Sequence, residues 1–122
     1  QGVDLLDSIT LYWKDKKIAV LHASMLTPTD RMGYIYGEDG YLTITNINNP
    51  EKIERFNKDH QLIETYTIPS QITGYEYEVL ACYDALKENK LECPQMPHHV
   101  TLHIMKLMDT IRKQWNMKYP FE

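Results

Sequence analysis

The chain has 122 residues, a length that fits one domain or part of a larger one. Its hydrophobic fraction of 43% is enough for a core, and its formal net charge of -4 comes without a lysine–arginine stripe, which argues against nucleic acid as a partner. No apolar run reaches membrane-spanning length, no signal peptide opens the chain, and Cys82 and Cys93 are too few for a disulfide framework, so a cytoplasmic protein with free thiols is expected.

The first half reads as strand. Ser8 to Lys14 alternates strongly, Asp15-Lys16 can turn, and Lys17 to Leu26 continues as a longer strand. Arg31 to Tyr36 and Tyr41 to Ile47 flank Gly37-Glu38-Asp39-Gly40, a hairpin turn with two glycines available for positive φ. Asn48-Asn49-Pro50 is a further turn. Glu51 to Asn57 and Gln61 to Ile68 flank Lys58-Asp59-His60. Nine tyrosines among the aromatic residues suit such a pleated surface. Six short strands joined by tight turns predict an antiparallel meander.

After Pro69 the period changes. Thr73-Gly74-Tyr75-Glu76 fits a capping box, with Thr73 as N-cap and Glu76 reaching back to it. Tyr75, Val79, Cys82 and Leu86 recur at helical spacing, and this helix should end near Asn89. Pro94 and Pro97 punctuate a connection. A second helix runs from about His98 to Trp115, with Val100, Ile104, Leu107, Met108, Ile111 and Trp115 on one stripe. The predicted fold is therefore α+β: an open, mainly antiparallel six-stranded sheet with two helices packed on one face, forming a single domain over 1–122.

With Asp15-Lys16 as a two-residue turn, one face of the first hairpin carries Ile9, Leu11, Trp13, Ile18 and Val20. The other carries Tyr12, Ala19, Leu21, Ala23 and Met25. Both faces are apolar, and two helices can cover only one. The small residues Ala19 and Ala23 put the helices on their side. Ile9, Leu11, Trp13, Ile18 and Val20 are then the open face, expected to pair with a second copy as a homodimer.

No catalytic, cofactor-binding or metal-binding residues emerge. Cys93, His98, His99 and His103 crowd the stretch CPQMPHHVTLH, and His99 and His103 share a helix face at i, i+4. Val100, however, stands where an H-E-x-x-H motif needs glutamate, and no C-x-x-C accompanies Cys93. Cys82, on the apolar stripe, is expected in the core rather than as a nucleophile. Neither G-x-S-x-G nor G-x-G-x-x-G occurs. Glu51, Glu54, Glu64, Glu76 and Glu78 are spread along a sheet edge and a helix start as solvated carboxylates. The methionines Met96, Met105, Met108 and Met117 read as core filling.

Several stretches carry a resemblance: G-Y-E-Y-E-V at Gly74 to Val79, A-C-x-D-A-L at Ala81 to Leu86, E-C-P-x-M-P-H at Glu92 to His98, I-M-K-L-M-D-x-I-R at Ile104 to Arg112, and W-x-x-x-Y-P at Trp115 to Pro120. In this order and spacing they resemble the end of the glucose–fructose oxidoreductase, inositol dehydrogenase and MocA (Gfo/Idh/MocA) family, with the closest look to its dihydrodiol and xylose dehydrogenase-like members. The strand Ile18 to Met25 and the turn Gly37 to Leu42 look like the family's second-domain sheet.

The resemblance implies an N-terminal Rossmann domain that binds NAD or NADP, and a C-terminal α/β domain that lines part of the substrate pocket. The reaction it implies is hydride transfer to or from a sugar, polyol or related alcohol. The family's glycine-rich phosphate loop, E-K-P lysine and D-x-x-x-H pair are not in this sequence: Glu51-Lys52 is followed by Ile53, and no aspartate stands four residues before a histidine. The expectation is a partial C-terminal domain without the Rossmann domain, inactive alone, contributing scaffold and an oligomer surface. A stand-alone binding or assembly module on the same sheet is the alternative.

Overall fold

The structure is a computed structural model, and it describes residues 3–121. Six strands and two helices follow one another: β1 (Leu6–Tyr12), β2 (Ile18–Ser24), β3 (Gly33–Gly37), β4 (Gly40–Thr45), β5 (Lys52–Asn57), β6 (Leu62–Thr67), α1 (Tyr75–Lys87) and α2 (His98–Gln114). Every strand pairing is antiparallel. The α+β class, the six strands and the two helices are as the sequence predicts.

The strands are divided between two sheets, however: a β1-β2 hairpin and a four-stranded meander in the order β3-β4-β5-β6. The break has a local cause. Ser24 Oγ accepts the backbone N–H of Leu26 and of Thr27, Thr29 Oγ1 accepts that of Arg31, and Asp30 Oδ1 accepts that of Met32. Short polar side chains thus satisfy amides that a continuing strand would have given to a neighbour. The chain separates into two compact units, one of residues 1–28 with 79–122 and one of residues 29–78. The second unit holds the meander, and the hairpin and α2 lie in the first.

In the meander, Gly37 pairs with Gly40 across the two-residue turn Glu38-Asp39. Gly40 has φ +149°, and a Cβ there would run into the Phe56 carbonyl oxygen on β5. Glycine is therefore required for close strand approach. Asn57 closes the β5–β6 turn: its Oδ1 accepts the N–H of Asp59 and of Gln61, while His60 adopts φ +59°. One face of the sheet carries an aromatic ladder. Tyr34 stacks near Tyr36, and Tyr41 stacks on Phe56 with ring centroids 4.9 Å apart.

The capping box at α1 forms as predicted. Glu76 Oε2 accepts the backbone N–H and the hydroxyl of Thr73, and Thr73 Oγ1 accepts the N–H of Tyr75. The other Glu76 oxygen takes the N–H of Ile72. Both helices stop on an asparagine in the left-handed region, Asn89 at φ +54° and Asn116 at φ +53°. At each, paired amides bond back into the last turn: Lys90 to the Ala85 carbonyl and Asn89 to Leu86, then Met117 to Arg112 and Asn116 to Lys113. Arg112 also lies over the Tyr119 ring, 4.3 Å from its centroid.

The stripe predicted for α1 does not face inward. Tyr75, Val79, Cys82 and Leu86 are exposed, while Ala85 is buried and Ala81 half-buried. The helix is apolar on nearly every side, so period alone selects no face; the small alanines mark the closest approach. On α2 the predicted stripe holds in part: Val100, Leu107 and Ile111 are half-buried. Among the described residues no side chain is fully buried, and many large apolar side chains are exposed, Leu6, Ile18, Val20 and Leu86 among them.

Candidate functional site

The β1-β2 hairpin is closed by three residues, Lys14, Asp15 and Lys16, not two. Trp13 N–H donates to the Lys17 carbonyl at 3.0 Å, Lys16 N–H donates to the Trp13 carbonyl at 3.1 Å, and Lys16 takes φ +67°. The register is therefore shifted by one from the two-residue expectation, pairing Tyr12 with Ile18, Leu11 with Ala19 and Ile9 with Leu21. A one-residue shift exchanges the faces of one strand relative to the other.

The five residues expected on one open face are split by this shift. Ile9 and Leu11 share a face with Ala19 and Leu21, and Ile9, Leu11 and Ala19 are half-buried. Ile18 and Val20 share the opposite face with Tyr12, and these three are 61%, 59% and 75% exposed. Trp13 is exposed in the turn. The open apolar surface is thus Tyr12, Ile18 and Val20, with Leu6 further along the same face.

The stretch CPQMPHHVTLH is a capped helix start. Pro97 is the N-cap of α2 and supplies no side-chain bond; Glu92 Oε2 accepts the His98 N–H at 2.6 Å and lies 3.6 Å from His98 Nδ1. His99 and His103 are exposed on α2. Among the described residues no group of three or more histidine, cysteine, aspartate or glutamate side chains is placed to hold a metal ion. Cys82 is exposed, not a core thiol, and its sulfur lies 3.7 Å from that of half-buried Cys93. Several of the other carboxylates make local pairs. Glu51 accepts from Asn46, Glu54 pairs with Lys52, and Glu64 meets Arg55 and the Tyr66 hydroxyl.

An open cleft of about 500 Å³ lies within the first unit, lined by Asp4, Leu6, Asp7, Ser8, Trp115, Asn116 and Met117. Asp4 and Asp7 hydrogen-bond one another there. This holds the Asp4 carboxyl below its ordinary range, while the bond to Asp4, burial and the Asp4 charge push Asp7 above it. Sequence reasoning missed this pair. Asp4 precedes the first predicted strand, and the other wall comes from the far end of the chain. A D-x-x-D spacing at the head of an apolar strand was the available signal, and a weak one.

No family model matches the chain, and no solved structure does. Among curated proteins it is similar to scyllo-inositol 2-dehydrogenase (NADP(+)) IolU of Bacillus subtilis (strain 168), with 31% identity over 119 residues. The similarity takes in 98% of this chain and 36% of that protein, so the chain spans about a third of the length of the relative it matches. No helix among the described residues is long and apolar enough to cross a membrane.

Proposed function

We propose that this chain is part of the second, substrate-side domain of an NAD(P)-dependent oxidoreductase of the Gfo/Idh/MocA type, acting on a sugar, polyol or related alcohol in the cytoplasm. The observation that carries the reading is the similarity to an NADP(+)-dependent scyllo-inositol dehydrogenase along 98% of the chain. The resemblance of Gly74 to Val79, Glu92 to His98 and Trp115 to Pro120 to the end of that family points the same way.

The nicotinamide supplies the hydride chemistry in such an enzyme, and the start of α1 does not offer a seat for its pyrophosphate. A pyrophosphate needs the free amides of a helix N-terminus behind a glycine-rich turn. The start of α1 is already taken: Glu76 holds the amides of Ile72 and Thr73, and the Cα of Gly74 faces the side chains of Asn49 and Gln71. The segment's contribution is scaffold and surface. Its exposed apolar side chains, Tyr12, Ile18 and Val20 among them, support this, because such surface favours a partner against it. A preceding nucleotide-binding domain and a second copy are the partners in this reading, the copy pairing through Tyr12, Ile18 and Val20.

The test is the natural protein that contains this segment. Its intact mass should exceed that of 122 residues by a whole nucleotide-binding domain, with a glycine-rich strand-to-helix turn encoded ahead of Gln1. A natural product ending at this length would count against the proposal.

A further inference from the structure

Two local devices bring Cys82 and Cys93 together. At the end of α1, the left-handed Asn89 and the Lys90 amide, bonded to the Ala85 carbonyl at 2.8 Å, turn the chain back along the helix. At the start of α2, Glu92 is fixed by its bond to the His98 N–H. Cys93 follows Glu92 directly, and its S–H points at the Cys82 sulfur 3.7 Å away. A disulfide needs the sulfurs at about 2.05 Å, so the two must close in from the 3.7 Å at which they now lie. Cys82 is exposed, Cys93 half-buried.

From this juxtaposition we infer that Cys82 and Cys93 form a redox-active dithiol that takes small disulfide oxidants and closes to an intramolecular disulfide between the end of α1 and the approach to α2.

The exchange runs in two balanced steps. The exposed Cys82 thiolate attacks one sulfur of a small disulfide, forming a mixed disulfide and releasing one small thiolate. Cys93, after giving up its proton to solvent, attacks the Cys82 sulfur; the protein disulfide forms and the second small thiolate leaves. Two protein thiols are oxidised and one small disulfide is reduced to two thiols. Cys82 is the exposed thiol and meets the oxidant first, while half-buried Cys93, whose hydrogen bond to Cys82 raises it above its ordinary range, resolves. The closed loop ties together two segments 11 positions apart, which constrains the unfolded chain and raises the melting temperature.

The experiment adds oxidised glutathione to the purified protein and digests it with trypsin without reductant. Lys87 and Lys90 lie between the cysteines, so the two cysteine peptides part unless a disulfide joins them. The expected result is a joined Cys82–Cys93 peptide from monomeric chains, with the intact mass lower by two hydrogens. Cys93→Ser should stop at glutathione on Cys82, because the resolving sulfur is gone. Wild-type protein carrying a glutathione on each cysteine, unmodified thiols, or a joined peptide found only in covalently linked chains would each overturn the inference.

Discussion

The Glu92 carboxylate accepts the backbone N–H of His98 at 2.6 Å, so the first turn of α2 is capped by a residue six positions upstream. Pro97, the N-cap itself, has no side chain able to do this. A carboxylate also suits the positive end of the helix dipole. Glu92→Ala should therefore cost about 0.5–1 kcal/mol, the lower end of a capping loss for a half-open site. Faster amide exchange confined to residues 98–101 is the expected signature; unchanged exchange there would show that water caps the helix as well.

Glu76 makes stability depend on acid. The amide of Ile72, chiefly, then the Glu76 amide itself, with Thr73 behind them, hold its folded pKa down to about 2 from an ordinary 4.5. A lowered folded pKa contributes stability that is complete above the ordinary value and lost as pH falls toward the folded one. The start of α1 should thus loosen between about pH 4.5 and 2, while Glu76→Gln should flatten this dependence. A carboxyl titration of Glu76 by NMR reads it directly, and an ordinary midpoint would contradict the capping account.

Gly40 and Gly37 face each other across the β3–β4 turn and should respond differently to alanine. Gly40 combines φ +149° with the Phe56 carbonyl oxygen in the place of a Cβ, whereas at Gly37 the nearest atom is the Gly40 carbonyl oxygen at 3.6 Å. Gly40→Ala should destabilise the meander by about 1–3 kcal/mol, with Gly37→Ala close to neutral. Thermal melts of the two variants suffice.

Legibility followed locality. The capping box was readable because Thr73 and Glu76 are three residues apart and their types define the geometry. The strands were readable from alternation, and the glycine-flanked turn from Gly37 and Gly40. The hairpin register was not, because the residue in the left-handed region is Lys16, an unlikely carrier of φ +67°, and nothing in Lys14-Asp15-Lys16 announces a three-residue loop. That single turn moved Ile9 and Leu11 away from Ile18 and Val20. Cys82 was misplaced for a related reason: a helix apolar on nearly every side gives its period no preferred face. The Asp4–Asp7 cleft depends on contacts across almost the whole chain, which no spacing reveals.

The open hairpin face yields its own prediction. Tyr12, Ile18 and Val20 should form the contact between two copies, so Val20→Asp should shift the chain to monomer in sedimentation at micromolar concentration. Leu11→Asp, on the half-buried face, should lower the melting temperature instead. A protein that is monomeric before substitution would remove the dimer from the proposal.

The most direct measurement of the central claim is hydride transfer by the natural protein that contains this segment. Purified and given NADP(+) or NAD with a panel of inositols, other polyols and sugars, it should reduce the nicotinamide with at least one of them, as followed by absorbance. The 122-residue chain alone should reduce none and bind neither cofactor. Activity or saturable cofactor binding by the isolated chain, or a natural protein inert toward every such alcohol with both cofactors, would contradict the account.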